Sequence, residues 1–142
     1  MTSLDEHKKK IKEHLKEINE SIEEGIENRA VSIGFHTSAC ALQFLEIYLH
    51  ILNKISIGKI IKHDWFKKPQ ESQKIEALIE RKLPIDFPRK EEIYSLIYEL
   101  EEERNTLVYG KASEKQIKKV LDSFLKLKEI FMELFKNEKF EL

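Results

Sequence analysis

Arg104, Asn105 and Tyr109 have the side chains best suited to chemistry, and they stand together at the end of a helical pattern. The guanidinium of arginine is always charged, and its forked N–H groups match the oxygens of a phosphate. Tyrosine side chains are protonated at neutral pH, so Tyr109 is suited to donate a proton or hydrogen bond and poorly suited to accept a proton. Phosphate binding is therefore the chemistry that this stretch indicates.

A structural interpretation of the same stretch is also open. Arg104 and Tyr109 are five positions apart, so their side chains diverge by about 140° on a helix and do not form a simple stacked pair. Glutamates at residues 101–103 directly precede the arginine. In this interpretation Arg104 is a surface residue paired with Glu99 or Glu101, and Tyr109 caps a core with its hydroxyl in water.

A second group of polar side chains interrupts the most apolar segment of the chain. The spacings are near multiples of 3.6, which places the group on one stripe of a helix. Its members are Ser32, His36, Gln43, Glu46 and His50. One interpretation makes the stripe the only wet edge of a well-buried helix, with Glu46 and His50 paired one turn apart. The other makes it a polar seam facing a cleft or a symmetry mate, where His36, Glu46 and His50 handle protons.

Metal binding is not indicated by these residues. His7 and His14 lie two turns apart among charged residues, too far apart for one ion, and are expected to be solvated. No His-Glu-x-x-His motif occurs, and only Glu46 and His50 are placed to share an ion. We therefore expect neither a metal nor a cofactor.

Residues 54–87 are the least regular part of the sequence and are interpreted as a long excursion between helices. In one interpretation Trp65 and Phe66 are anchors that dock this excursion on the core. In the other, one aromatic residue and three lysines form a stacking and phosphate-binding surface for a single nucleic-acid strand. Those four residues are Lys62, Trp65, Lys67 and Lys68.

Four long helices are predicted by apolar residues that recur at three and four positions. A charged first helix follows a capping box at residues 3–6, and the second, over about residues 30–53, is apolar around nearly its whole circumference. The third spans residues 88–110, and the fourth follows another capping box at residues 113–116. The short link between the last two makes them antiparallel neighbours.

Proline and glycine mark the ends of these elements. Pro88 suits the first turn of the third helix, and Gly110 is expected to end that helix in the left-handed conformation. A short helix is expected between Pro69 and Pro84. The chain is thus predicted to be all-α: a four-helix bundle with a long irregular insertion carrying a short helix between helices 2 and 3. It is expected to form a single domain over residues 1–142.

The composition is that of a globular protein without a strong charge preference. The 142 residues carry a net charge of −1, which argues against a chain-wide affinity for nucleic acid or anionic membranes. Cys40 is the single cysteine, so no internal disulfide forms, and no signal-peptide pattern occurs at the N-terminus. We expect a cytoplasmic protein, and the abundance of Ile, Lys and Glu suggests a hot-adapted source.

The stretch RNTLVYG at residues 104–110, at the end of a third helix, resembles the signature of the HEPN superfamily. The order of helices from about residue 3 to residue 137 is also similar. The resemblance implies a small helical dimer, and many members are metal-independent RNases that often work beside a nucleotidyltransferase antitoxin. Their catalytic motif is an arginine followed after four to six residues by a histidine. That pair, contributed by both subunits, activates the ribose 2′-hydroxyl and stabilises the phosphate.

Tyr109 departs from the family pattern, because it stands where the motif histidine is expected. The departure favours a dimeric HEPN-like module, weak or inactive as a catalyst, that binds RNA, a nucleotide or a protein partner near Arg104 and dimerises through helices 2 and 3. The alternative is a divergent, toxin-like endoribonuclease, independent of metal, in which Arg104 and Asn105 act with Tyr109 or with His36 or His50.

A further alternative is a purely structural bundle that binds a partner protein through its apolar helix faces. For the favoured hypothesis we expect a homodimer with no membrane association. RNA, a nucleotide and a nucleotidyltransferase-type protein are the partners that the resemblance implies.

Overall fold

The computed structural model describes residues 4–56, 58–67 and 76–142, and the regular elements within these ranges are all helical. The α-helices are α1 (Leu4–Glu24), α2 (Ala30–Ile51), α3 (Leu78–Lys82), α4 (Lys90–Tyr109) and α5 (Glu114–Asn137). The predicted all-α class is confirmed, with α4 and α5 as the predicted third and fourth helices and α3 as the short helix of the insertion. Ser3 of the first predicted capping box and Lys68 lie outside the described residues.

Helix α2 is the centre of the molecule and packs on α1, α4 and α5. Residues around most of its circumference are buried, which accounts for its nearly continuous apolar pattern. The rings of Phe44 and Tyr48 meet those of Phe131 and Phe135 in α5 at centroid distances of 5.5 to 6.2 Å. Despite this apolar character, the described helices include none that is long and apolar enough to cross a membrane.

Gly34 brings α2 and α4 into close contact. A Cβ atom at this position would lie 2.7 Å from Cβ of Leu107 and 3.3 Å from Cγ2 of Val108, so a larger residue would force the helices apart. This close approach places the neighbouring Phe35 beside the last turns of α4. The position of Arg104 relative to α2 is set here.

The helix ends agree in part with the predicted ones. Ser113 and Gln116 form the predicted capping box of α5 through two reciprocal hydrogen bonds of 2.8 and 3.2 Å. Pro88 instead lies outside α4, because the helix begins after Arg89, which has a positive φ of 59°. Gly110 ends α4 in an extended conformation with φ of −104°, which corrects the left-handed end expected for it.

The insertion is held to the core by Ile61, Trp65 and Phe66, all of which are buried. The ring of Phe66 packs edge-on against Tyr94 and Tyr98 of α4 at 5.2 and 5.5 Å. Trp65 is therefore an anchor, and its burial corrects the alternative in which its indole offered an open stacking surface. This anchored segment forms one wall of the candidate site.

Candidate functional site

Arg104 lines an open groove of about 340 Å³ between α2, α4 and the insertion. We call this the Arg104 groove. Its wall from α2 and α4 comprises Phe35, Ser38, Ala39, Leu42, Gln43, Glu46 and Arg104, and the opposite wall is residues 60–64. The guanidinium carbon of Arg104 lies 5.9 Å from the ring centroid of Phe35, within the range of a cation–π contact. One face of the guanidinium is thus supported by an aromatic ring.

The glutamates near Arg104 have other partners. Glu99 accepts a hydrogen bond of 2.8 Å from Ser123 of α5, and Glu103 lies 3.9 Å from the ammonium group of Lys119. Glu101 accepts a hydrogen bond from Ser38. Among the described residues Arg104 has no ion pair, so the surface-pair interpretation with Glu99 or Glu101 is not what the structure shows.

Glu101 joins two residues that the sequence did not single out. One oxygen accepts the hydrogen bond from the Ser38 hydroxyl, and the other accepts a hydrogen bond of 3.1 Å from Nδ1 of His63. Ser38 fixes the carboxylate from α2, while the half-exposed His63 approaches it from the insertion. With Nδ1 protonated toward Glu101, Nε2 is the basic nitrogen of His63. This arrangement is that of a carboxylate-oriented general base.

A second cleft adjoins the Arg104 groove, because His63 and Asp64 line both. It encloses about 380 Å³, and we call it the Asn105 cleft after the residue that α4 contributes next to Arg104. Its remaining wall consists of Phe66, Lys67, Tyr98, Glu101 and Glu102. Arg104 and Asn105 therefore open into neighbouring parts of one surface. The predicted ligand residues Lys62 and Lys67 line the groove and the cleft respectively.

Tyr109 lies apart from this surface. Its side chain is 78% exposed, and it lines neither the Arg104 groove nor the Asn105 cleft. Within one chain the structure therefore does not bring Tyr109 together with Arg104, as the angle of about 140° between them on the helix had indicated.

The polar stripe of α2 faces α1 along its length. Ser32 and Ser21 have hydroxyl oxygens 3.0 Å apart, and Nδ1 of His36 lies 2.9 Å from Nδ1 of His14. We call this stripe and its partners on α1 the histidine seam. The stripe therefore pairs with α1 rather than with open solvent, and only its members Gln43 and Glu46 also line the Arg104 groove. His14 is partly buried rather than solvated.

The far end of the histidine seam contains two buried ionisable side chains, His7 and Glu46. His7 is 1% exposed, and its Nδ1 donates to Oε1 of Gln43 at 2.6 Å and lies 3.5 Å from Oε2 of Glu46. Glu46 is 4% exposed and accepts a hydrogen bond of 2.8 Å from the backbone N–H of Ile61. Glu46 thus pairs with α1 and the insertion, and the pair with His50 that the spacing had indicated does not form.

Burial sets the protonation of this end of the seam. It raises the pKa of Glu46, which the Ile61 hydrogen bond and the charge of His7 partly offset. Burial and the neighbouring His7 lower the pKa of His50, whose ring centroid lies 5.2 Å from that of His7. Burial and the charge of His36 lower the pKa of His14. The histidines of helix 2 are therefore engaged with α1, and neither His36 nor His50 lines the Arg104 groove.

The described residues contain no group of three or more His, Cys, Asp or Glu side chains placed to hold a metal ion. Cys40 is buried in the core, and burial raises the pKa of its thiol to about 12, which leaves a thiolate inaccessible near neutral pH. Comparison of the chain with protein-family models, curated proteins and solved structures finds no match. A function for this chain must therefore be inferred from the geometry of the Arg104 groove.

One residue of the site, Glu101, could have been placed there from its spacing in the sequence. Glu101 precedes Arg104 by three positions, so the two share a helix face, and this spacing could have placed the carboxylate beside the groove. His63 had no comparable signal, because its approach to Glu101 depends on how the insertion folds over α4. Ser38 had none either, because its contact with Glu101 depends on how α2 packs against α4.

Proposed function

We propose that this chain is a HEPN-like helical module that binds RNA or a nucleotide by its phosphate in the Arg104 groove and turns it over weakly or not at all. The observation that carries the proposal is the placement of the Arg104 guanidinium. It stands on the wall of the groove over Phe35, while the nearby glutamates are engaged elsewhere. Its forked N–H groups match two phosphate oxygens.

The neighbouring side chains suit a ribose phosphate better than a bare anion. Lys62 lies in the groove and Lys67 in the adjoining cleft, so cationic groups follow a path along both. Asp64 lies between them and, like Glu101, accepts hydrogen bonds from hydroxyl or amino groups. A ligand that carries both phosphate and 2′-hydroxyl groups, as RNA does, satisfies both kinds of side chain.

We also propose that the module is a homodimer through the α2 and α4 faces beside the groove. Val31 is 58% exposed and Phe35 45% exposed on the same face of α2, and Tyr109 lies at the end of α4. Large apolar side chains that are exposed on adjoining helices indicate an interaction surface. Light scattering should give the mass of two chains, and Val31→Asp should yield a single-chain mass with unchanged circular dichroism.

The binding proposal is tested with two matched variants at opposite ends of α4. Arg89 pairs with Glu92 and Glu133 at the start of the helix, away from the groove. Anisotropy of a labelled single-stranded RNA of about ten nucleotides should show that Arg104→Gln weakens binding at least about tenfold, the loss of a charge-assisted bidentate contact. Arg89→Gln, which removes the same charge, should bind like the wild type.

The salt dependence adds an independent reading. Each phosphate contact to a single strand contributes about 0.7 to the slope of log K against log salt, so the slope should fall by about that amount in Arg104→Gln. Binding by Arg104→Gln at wild-type strength, or no binding of RNA or nucleotide by the wild type, would overturn the proposal.

A divergent, metal-independent endoribonuclease is the second candidate, and the His63–Glu101 contact of 3.1 Å favours it. In this reaction Nε2 of His63 takes the proton of a ribose 2′-hydroxyl, and the 2′-oxygen attacks phosphorus. The bond from phosphorus to the 5′-oxygen breaks, and the leaving oxygen takes a proton from the imidazolium. Cleavage with a 2′,3′-cyclic phosphate product, lost in His63→Gln while RNA binding persists, would establish it. Intact RNA after prolonged incubation would exclude it.

A further inference from the structure

Four of the five histidines of the chain lie in the histidine seam, and only His63 lies outside it. They form two pairs between α1 and α2. His14 meets His36 at a nitrogen separation of 2.9 Å, and the ring of His7 lies 5.2 Å from that of His50 between centroids, tilted by 38°. Helix α1 makes its extensive contacts with α2. The docking of one helix thus depends on imidazoles that face each other.

The first pair tolerates only one proton between its facing nitrogens. Nδ1 of one ring donates to Nδ1 of the other, so a second proton would place two donors 2.9 Å apart with no acceptor between them. The other groups that face His14 are Glu13 and Lys10 of α1, whose effects on it oppose each other, and the ring of Phe35. These groups leave the additional charge of a doubly protonated pair without a partner.

The second pair is more deeply enclosed. Nε2 of His7 and both ring nitrogens of His50 are shielded from solvent and have no well-formed hydrogen bond among the described residues. A proton added to Nε2 of His7 becomes a buried donor without an acceptor, which is costly. At His50 the backbone of Ile55 favours the charged form, but burial and the neighbouring His7 outweigh it. Glu46 is the carboxylate that faces His7, and Lys10 lies on the α1 side. On the groove side Glu46 shares a wall with Lys62, His63, Asp64 and Arg104.

We propose that the histidine seam is a proton-sensitive latch: α1 is docked while His14 and His50 carry no added proton against their facing rings, and it is released when these two residues are protonated. Glu46 extends the effect to the site, because the same carboxylate meets His7 on one side and the backbone of Ile61 on the other. Release of α1 removes one of the two partners of Glu46. The wall formed by residues 60–64 then loosens as well.

The direction of the response follows from linkage. His14 and His50 have lowered pKa values in the docked state, so the undocked state binds more protons below their ordinary value of 6.5, and docking weakens as the pH falls through that window. The raised pKa of Glu46 acts in the opposite direction, because the docked state takes up a proton at that carboxyl more readily. Protonation of Glu46 therefore opposes the release of α1 as the pH falls further.

Hydrogen exchange on the wild-type chain tests the latch without any ligand. After correction for the intrinsic pH dependence of exchange, the opening constant of amides in α1 should rise by more than about threefold between pH 7.5 and 5.5, because the undocked state binds more protons at His14 and His50. Amides in α5 should keep their protection. Unchanged protection of α1 overturns the proposal, and so does an equal loss in α1 and α5, since that would be global unfolding.

Variants distinguish the effect of the seam histidines from that of His63, the remaining histidine. In a chain carrying His14→Leu and His50→Leu the rise in α1 opening should fall to less than about threefold, because neither titrating group remains. His63→Gln should retain the full rise. In that His63→Gln background the emission of Trp65, the only tryptophan, should shift to the red over the same pH range as the insertion loosens. A full wild-type rise in the double variant would contradict the latch, and if that variant does not fold the wild-type exchange decides.

Discussion

The histidine seam and the Arg104 groove contain the same kinds of side chain but differ in their exposure to solvent. Each brings an imidazole and a carboxylate together from different elements: His7 with Glu46 in the seam, and His63 with Glu101 where the groove meets the Asn105 cleft. In the seam both members are buried and face one another across α1 and α2. In the groove the imidazole is half exposed, and the guanidinium of Arg104 stands beside it. The two pairs differ because the surrounding helices cover the one in the seam and leave the other partly exposed.

Desolvation explains what each region can do. A buried polar group is costly unless it is paired, so the seam stabilises one arrangement of α1 and penalises others. His63 and Arg104 retain part of their contact with water, so a charge on either costs little and both keep their capacity to bind a ligand. The seam is thus suited to hold the fold together, and the groove is suited to recognition.

The largest expected effect is a loss of stability, and it should distinguish a seam residue from a groove residue. His7→Ala should lower the free energy of unfolding by about 2–3 kcal/mol, because it leaves a cavity and removes the partner of Gln43 and Glu46. Arg104→Ala should lower it by less than about 1 kcal/mol, since that side chain is only partly buried. Urea titrations of both variants measure the difference. Equal losses would break the contrast between the two regions.

A second change addresses the contact between α2 and α4. Gly34→Ala places a Cβ atom 2.7 Å from Cβ of Leu107, so the helices must separate, at an expected cost of about 1–3 kcal/mol in thermal or urea unfolding. Because Phe35 and Arg104 lie beside this contact, ligand affinity should fall as well. Exchange protection of amides at His7 and His14 should persist at pH 7.5. A variant as stable as the wild type would show that the helices tolerate the added methyl group.

Ser38→Ala should have a smaller effect, about 1 kcal/mol in the free energy of unfolding, since Glu101 loses one hydrogen bond but keeps the one from His63. The expected consequence is local to the groove. Nuclear magnetic resonance should show the imidazole signals of His63 moving, because the carboxylate that meets it is no longer fixed from α2. Unmoved His63 signals would separate Ser38 from the site.

The smallest expected effect is that of Glu46→Gln at neutral pH. The raised pKa of Glu46 means that ionised Glu46 lowers stability above its ordinary pKa, so an uncharged amide should change stability by less than about 1 kcal/mol at pH 7.5, in the direction of a gain. The amide oxygen still accepts from Ile61. Below pH 6.5 the fall in stability should be steeper than in the wild type, because the opposing carboxyl has been removed. A loss above about 2 kcal/mol at pH 7.5 would show that the charge pairs favourably with His7.

The sequence predicted the helices well because their apolar periodicity follows directly from burial. It also placed Ser32, His36, Gln43, Glu46 and His50 on one stripe. What faces that stripe was not predictable, since the pattern of α2 records only that some positions are polar. The partners on α1 look like ordinary polar positions of a charged helix, so His7 and His14 were expected to be solvated.

The candidate site was predictable only in part for a related reason. Arg104 and Asn105 could be selected from the sequence because of their side-chain types and their place at a helix end. His63 reaches Glu101 through the fold of an insertion whose sequence lacks periodicity, and Ser38 reaches it through the packing of α2 against α4. Tertiary contacts of this kind leave no mark on local spacing.

The central claim, that Arg104 is a ligand-binding guanidinium, is tested most directly by following its side-chain Nε–H signal by nuclear magnetic resonance during titration with a short single-stranded RNA. The account predicts that the Arg104 signal shifts and saturates along the binding curve, while the signal of Arg89 at the other end of α4 stays in place. An Arg104 signal that remains unmoved while the protein becomes saturated with RNA would contradict it.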